Sequence, residues 1–197
     1  MSWFFDMISA AFYAILVQNL VFSGGYGASE AVRMASKPKK LASTAAMIVY
    51  FSTVTAVVCR ALDFLPWVAQ KNQSIHFLIF ALVLISVYFI TGALIYFILK
   101  PSKRFMTKLG IAAINTLALA IPLINYRSAA NFWESIGTGF GSGIAFVIAS
   151  LLISVGFTRI AHNKHIPPVF RGTPVLFIYV AMLSLTFMGI SGSNVFA

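Results

Sequence analysis

The stretch "VFSGGYGASEAVRMASK", Val21–Lys37, follows directly on apolar residues that begin near Trp3. It contains Gly24, Gly25 and Gly27, three glycines within four consecutive positions. Glycine weakens a helix because its backbone loses the most conformational freedom on folding. Interrupted membrane helices place backbone groups beside functional sites near the middle of the bilayer. The stretch therefore predicts a discontinuous membrane helix, broken either at the inner surface or near the midplane.

The composition of the whole chain is that of an integral membrane protein. Of its 197 residues, 60% are hydrophobic and 9% are charged, and the mean hydropathy is +0.92. A soluble domain has about 25% charged residues. Apolar runs of roughly 20 residues recur along the chain, and no segment between them is long enough to form a soluble core. We expect one all-α polytopic membrane domain covering residues 1–197, with the lipid bilayer as its surroundings.

The charge and the cysteine content exclude several other classes of protein. The formal net charge is +10, but the basic residues lie between the apolar runs, whereas a nucleic-acid-binding protein gathers them on one face. The single cysteine, Cys59, excludes an internal disulfide and a multi-cysteine metal site within this chain. Asp6, with no Lys or Arg before the first apolar run, argues against a cleaved signal peptide.

Six membrane spans are predicted from the apolar runs. They are Trp3–Ser23, Leu41–Leu65, Ile75–Leu99, Leu109–Ile124, Ile136–Phe157 and Pro174–Gly189. Eleven basic residues follow spans one, three and five, against Lys71 and Arg127 on the opposite side. By the positive-inside rule the eleven face the cytoplasm. Both termini are then expected outside.

Six spans divide into two groups of three, approximately residues 1–99 and 100–197. Because three is odd, the second group enters from the opposite side, so related halves form an inverted repeat. The fourth span, Leu109–Ile124, corresponds to only ~24 Å of helix and contains Asn115, Thr116 and Pro122. We expect the first and fourth spans to be discontinuous and to share one site.

Three stretches resemble a known family of membrane proteins. They are "LVQNLVFSGGYGAS" (Leu16–Ser29), "LGIAAIN…LIN" (Leu109–Asn125) and "IPPVFRGTPVLFIYVAMLSLTFMGISG" (Ile166–Gly192). Together they resemble the paired small membrane subunits of Rnf and Nqr complexes, in particular the A subunit of Rnf and the E subunit of Nqr. The resemblance implies an inverted-repeat protein of the bacterial inner membrane. It also implies a homologous six-helix partner and further subunits of an electron-transport complex that moves sodium ions or protons.

The resemblance fails at the residues that bind the family's cofactor. In the family, a Gly-Leu-Cys and an Asn-Cys sequence supply cysteines to an intramembrane 2Fe-2S cluster shared with the partner. The matching positions here are Gly27-Ala28-Ser29 and Asn115-Thr116, so hydroxyls replace both thiols. Iron–sulfur clusters are held by soft, readily deprotonated thiolates. We therefore expect no cofactor in this chain alone, although the five residues remain a candidate polar site at the midplane.

Each polar residue of this candidate site also has a simpler interpretation. Ser29 could cap the short helix that follows it. Thr116 could donate its hydroxyl proton back to the carbonyl near Ala112. The Asn115 side chain could instead hold two helices together by a hydrogen bond between them, without being part of a site.

Two further patterns concern packing and charge. Arg60 and Asp63, three residues apart, share a helix face as an interfacial ion pair or as an element of an ion pathway. Four alternate glycines form two overlapping faces of small residues, which indicates close helix crossing; they are Gly137, Gly139, Gly141 and Gly143. On the same helix, Ala149 is expected to face lipid.

Two classes of function remain open from the sequence. The chain is a membrane subunit of an Rnf/Nqr-like ion-translocating electron-transport complex, without the family's usual cluster ligands. Alternatively, it is a stand-alone inverted-repeat transporter or binding protein on the same scaffold, or a purely structural subunit. Neutral groups at Ser29, Asn115 and Thr116 would suit a small polar solute or a cation.

Overall fold

The computed structural model describes residues 2–35 and 38–192, except for the side chains of residues 38–40. The regular structure in this part of the chain is helical throughout. The α-helices are α1 (Ser2–Phe12), α2 (Leu20–Ser23), α3 (Ala28–Ala35), α4 (Pro38–Asp63), α5 (Pro66–Ala69), α6 (Gln73–Leu99), α7 (Lys103–Ala113), α8 (Thr116–Arg127), α9 (Phe132–His162) and α10 (Thr173–Ser191). A π-helical segment covers Tyr13–Val17, and a 3₁₀ turn covers Pro168–Phe170.

Five segments of the described chain are long and apolar enough to cross a membrane. They are Leu41–Asp63, Gln73–Leu99, Lys103–Arg127, Phe132–His162 and Thr173–Ser191. Ser2–Val17 is a shorter apolar helix. The prediction of an all-α, multi-span membrane protein is confirmed at this level. For four of the predicted spans, the second, third, fifth and sixth, both ends lie within about five residues of the ends of these segments.

The first and fourth predicted spans have the wrong bounds. Trp3–Ser23 is not one helix, because the chain leaves the helical conformation at Gln18 and Asn19. The Asn19 side chain accepts a hydrogen bond from Val21 N at 3.1 Å, which starts a new helical turn. The fourth segment is longer than predicted, because its helix already begins at Lys103, where Ser102 caps it. The first turn of this helix is basic, so the apolar run did not include it.

The centre of the molecule is the crossing of α4 and α9. Helix α1 packs along α9 as well, whereas α7 and α8 pack along α4. Helix α6 contacts α4, α7 and α8, and α10 contacts α2, α9 and the π-helical segment. The fully buried side chains at this centre include Ile48, Phe51, Phe146 and Ile153.

The alternate glycines of α9 make these close crossings possible, as their spacing predicts. A Cβ atom built on Gly141 would lie 2.5 Å from the carbonyl oxygen of Ala11 in α1. On the other face, a Cβ on Gly143 would lie 2.7 Å from the Cα of Val49 in α4. The lipid-facing prediction for Ala149 is wrong, because this residue is fully buried on the same helix.

The predicted ion pair of Arg60 and Asp63 is confirmed and is joined by a histidine that the sequence did not connect to it. Arg60 Nη1 lies 3.9 Å from Asp63 Oδ2, and His76 Nε2 lies 3.6 Å from Asp63 Oδ1. His76 is 0% exposed, and its ring stacks on Tyr126 with 3.9 Å between the ring centroids. This group, the Asp63 cluster, links the end of α4 to the start of α6 and the end of α8.

The glycine crossing predicts that Gly141→Leu strongly destabilises the fold. No branched side chain fits where the α1 backbone lies in contact, and overpacking alone typically costs about 1–3 kcal/mol. The measurement is the yield and thermal stability of the detergent-purified protein.

The matched control is Gly189→Leu. A Cβ on Gly189 meets no atom within 4 Å, so the same substitution there should leave yield and melting temperature nearly unchanged. Equal loss in both variants would show that the α9 glycines are not a packing seam.

Candidate functional site at the helix breaks

The first break lies between α2 and α3, within the glycine-rich stretch. Gly25 and Gly27 have φ angles of 70° and 76°, a backbone conformation that other residues rarely adopt. Gly27 is buried, and α3 begins immediately after it at Ala28. The glycines therefore turn the chain sharply so that a second short helix can start inside the protein.

The second break lies between α7 and α8, at Ile114 and Asn115. The Asn115 Oδ1 atom accepts a hydrogen bond from Leu117 N at 2.9 Å, so Asn115 is the N-cap of α8. Thr116 is consequently the first residue of that helix and not a mid-helix residue. The predicted bond from its hydroxyl back to the carbonyl near Ala112 is therefore wrong.

The two breaks meet. The backbone N–H of Gly27 donates a hydrogen bond of 2.9 Å to Thr116 Oγ1, across 89 residues of sequence. A Cβ atom on Gly27 would lie 3.0 Å from Asn115 Oδ1, so only glycine fits there without movement. The starts of α3 and α8 thus lie side by side, and three of the five residues of the candidate site are in direct proximity.

The remaining two residues of the candidate site follow Gly27 in α3. Ala28 is half-buried, and Ser29 is the exposed second residue of the helix. Because α3 already begins at Ala28, the prediction that Ser29 caps this helix is wrong. Ser29 instead lines an open cavity of about 520 Å³ together with Asn115 and Thr116.

The cavity combines hydroxyl groups with one carboxylate and one unpaired amide. Asn115 is 6% exposed, and its Nδ2 has no hydrogen-bond partner in the described part of the chain. The polar and apolar residues around it come from α3, α6, α7 and the second break; the full lining is Ser29, Glu30, Tyr88, Met106, Thr107, Gly110, Ile111, Ile114, Asn115 and Thr116.

Glu30 is a site residue that the sequence did not single out. It is 9% exposed and forms an ion pair with Arg33, with 2.6 Å between Oε1 and Nη2. This hydrogen-bonded carboxylate raises the pKa of the Arg33 guanidinium above its ordinary value. The three-residue spacing of Glu30 and Arg33 on one helix was the available signal.

Asn19 is a second residue whose role was not predicted. It is 0% exposed, caps α2 with its Oδ1, and donates from Nδ2 to the carbonyl of Ala145 at 3.3 Å. This bond ties the first interrupted helix to α9.

The 2Fe-2S cluster that the sequence resemblance implies does not fit these residues. The two matching positions present the hydroxyls of Ser29 and Thr116, which do not replace thiolates on iron. The only cysteine, Cys59, is 1% exposed near the end of α4 and does not line the cavity. No step through such a cluster is therefore assigned to this chain.

Taken together, the fold and the site define a polytopic helical membrane protein with two interrupted helices whose broken ends meet. No protein-family model matches the chain. Curated proteins from several bacteria are similar to it in sequence, and they are named as the A subunits of ion-translocating oxidoreductase complexes. The chain is thus related to these A subunits, as the resemblance in its sequence predicted.

Three of these relatives show the range of the similarity. The Aromatoleum aromaticum protein is 35% identical over 97 residues, 47% of this chain and 50% of the relative. The Alcanivorax borkumensis protein is 28% identical over 189 residues, 91% and 93% of the two chains. The A subunit of a "proton-translocating ferredoxin:NAD(+) oxidoreductase complex" from Clostridium ljungdahlii is 34% identical over 82 residues, 42% of each. The chain thus spans about half the length of the first of these relatives, and nearly all of the second.

The proximity of the two breaks generates a prediction about metal binding. In a Cys59→Ala background, the double change Ser29→Cys and Thr116→Cys should give two thiols that crosslink or jointly bind a thiophilic metal. The measurement is metal stoichiometry after anaerobic reconstitution with iron and sulfide, with the wild-type chain expected to hold no stoichiometric cluster.

The control pair is Ser29→Cys with Thr186→Cys, because Thr186 is exposed on α10 and does not line the cavity. Metal binding by the control pair, or a stoichiometric cluster in the wild type, would contradict the assignment of these two positions.

Proposed function

We propose that the chain is a membrane subunit of an Rnf/Nqr-like ion-translocating electron-transport complex that lacks the usual ligands of the intramembrane cluster. The observation that carries this proposal is the similarity to the A subunits of such complexes, which extends over nine tenths of both chains. The multi-span helical fold and the interrupted helices agree with it.

We also propose the finer architecture, six spans in two inverted repeats of about 1–99 and 100–197. Its support is the pattern of helix contacts. The first segment of one half, α1, packs on α9 of the other, while α7 and α8 pack on α4. In the same way, α6 packs on α7 and α8, and α10 packs on α2. Each half thus makes the same set of contacts with its opposite, as a two-fold axis in the membrane plane requires.

The proposed orientation places both termini outside the cytoplasm in the bacterial inner membrane. It rests on the excess of basic residues after spans one, three and five. In a Cys59→Ala background, Lys71→Cys should react with a membrane-impermeant maleimide in intact spheroplasts, whereas Lys103→Cys should react only after lysis. Labelling at position 103 in intact spheroplasts would show that the proposed orientation is wrong.

The homologous partner is proposed to lie over the face that carries the two breaks. Ser29 and Thr116 are exposed there, and Ile114 between α7 and α8 is 79% exposed. In the family the partner completes the cluster site at this face, so the hydroxyls of this chain would lie opposite the partner's own residues.

A stand-alone transporter or binding protein is the second candidate function. The open cavity of about 520 Å³, lined by neutral polar groups at Ser29, Asn115 and Thr116, favours it. A small solute that stabilises the isolated protein would support this alternative.

Affinity purification from native membranes separates the two functions. An Rnf/Nqr-like subunit should bring down a homologous six-helix protein and flavin-carrying subunits. Ile114→Trp, which adds bulk on the proposed partner face, should reduce their recovery at least tenfold.

Ile190→Trp is the matched control, since Ile190 is 58% exposed on α10 and should tolerate the same change. Recovery of the wild-type chain without any partner, together with stabilisation by a solute, would favour the alternative function.

A further inference from the structure

A groove lies between α4, α6 and α7 on the outside of the helix bundle. Its volume is about 530 Å³. Leu109 of α7 is buried at its floor, whereas Tyr50 of α4 and Leu94 of α6 are 43% and 56% exposed at its edges. The groove therefore opens sideways, toward the hydrocarbon of the bilayer. The full lining is Ser43, Ala46, Met47, Tyr50, Thr91, Leu94, Ile95, Phe105 and Leu109.

One end of the groove is closed by a hydrogen bond between two helices. The hydroxyl oxygens of Tyr50 and Thr91 lie 3.1 Å apart, so this pair bridges α4 and α6. From Ser43 to this bridge α4 covers about 10 Å, whereas the hydrocarbon of one leaflet is about 15 Å thick. A membrane helix of another protein would need a groove that continues across the bilayer. A single acyl chain fits within one leaflet, and the groove offers it mainly apolar side chains.

The other end of the groove is basic. Ser43, Ile95 and Phe105 lie near the start of α4, the end of α6 and the start of α7, so these three helix ends meet there. Asp63 is the only acidic residue in the sequence of the three helices, and it lies at the opposite end of α4. The basic residues at the three ends are Lys39, Lys40, Lys100, Lys103 and Arg104.

An apolar groove with a basic end matches the chemistry of an anionic phospholipid. Basic residues between membrane helices bind the headgroups of such lipids, and each Lys or Arg near the surface contributes about 1 kcal/mol. The long apolar stems of these side chains allow their charges to reach the headgroup region. An acyl chain that lies in the groove places its phosphate at the basic end. A zwitterionic lipid would fill the groove equally well but would gain less from the charges.

We propose that the groove between α4, α6 and α7 binds one acyl chain of an anionic phospholipid, whose phosphate lies among the basic residues of the three helix ends. The residues that line this groove are all different from those around the cavity at the two breaks. The lipid site therefore does not depend on the partner or on electron transport. A failure of either proposal leaves the other standing.

The experiment is native mass spectrometry and thermal unfolding of the delipidated full-length chain in detergent, with phosphatidylglycerol or phosphatidylcholine of the same acyl chains. Phosphatidylglycerol should stay bound as one molecule per chain and should raise the melting temperature by about 3–6 °C more than phosphatidylcholine does. Glycerol 3-phosphate, which has the phosphate but no acyl chain, should have no effect. Equal binding of the two lipids, or equal stabilisation by glycerol 3-phosphate, would overturn the proposal.

Ala46→Trp tests the groove itself. Ala46 is exposed on α4, so an indole ring there should occupy the space of the acyl chain and lower the affinity for phosphatidylglycerol at least tenfold. The matched control is Ala181→Trp, because Ala181 is also exposed, on α10, and does not line the groove. Equal affinities of the two variants would show that the lipid does not bind in the groove.

The double variant Lys100→Asn with Lys103→Gln tests the basic end without changing a residue of the lining. Asparagine suits position 100 because Lys100 has a φ angle of 42°. The preference for phosphatidylglycerol over phosphatidylcholine should fall at least fivefold. The control removes the same two charges elsewhere, at exposed positions, by Arg159→Gln with Lys164→Asn. An equal fall in both double variants would show that the preference reflects net charge alone and would contradict the site.

Discussion

A bilayer offers no water to a backbone polar group, so every interruption of a membrane helix has to be satisfied by the protein itself. This constraint explains the residues at the interruption before α2 and at the two breaks that meet. Asn19 and Asn115 each accept a hydrogen bond from the backbone N–H two residues later, and Thr116 accepts one from Gly27. Short amide and hydroxyl side chains do this locally, which is why they occur in otherwise apolar sequence.

The hydroxyl of Thr116 has a structural task that a cysteine would perform poorly. A thiol is a weak hydrogen-bond acceptor, whereas the Thr116 oxygen receives the Gly27 N–H at 2.9 Å. Threonine at this position therefore makes a stronger link between the breaks than a cysteine would. The junction of the two half-helices thus presents neutral oxygen atoms.

Features that depend on composition and spacing were predictable from the sequence. The alternate glycines from Gly137 to Gly143 predicted two crossing faces, and hydropathy located α4, α6, α9 and α10. The break at Gln18 and Asn19 was hidden, because two polar residues hardly lower the average of an apolar run. His76 joins Asp63 only through tertiary contact, and Asn19 reaches the carbonyl of Ala145 across 126 residues of sequence. Proximities of this kind have no signature in a single sequence.

The Asp63 cluster has a mechanical consequence for the molecule. It fastens the turn between two long helices and clamps the end of a third, at a place where the side chains of Asp63 and His76 are 6% and 0% exposed. Sliding any one of these helices would break the contact of Asp63 with the buried His76 ring or the stacking of that ring on Tyr126. Helices α4, α6 and α8 are therefore fastened together at this end of the molecule. A rearrangement that keeps this cluster intact would have to move these three helix ends together.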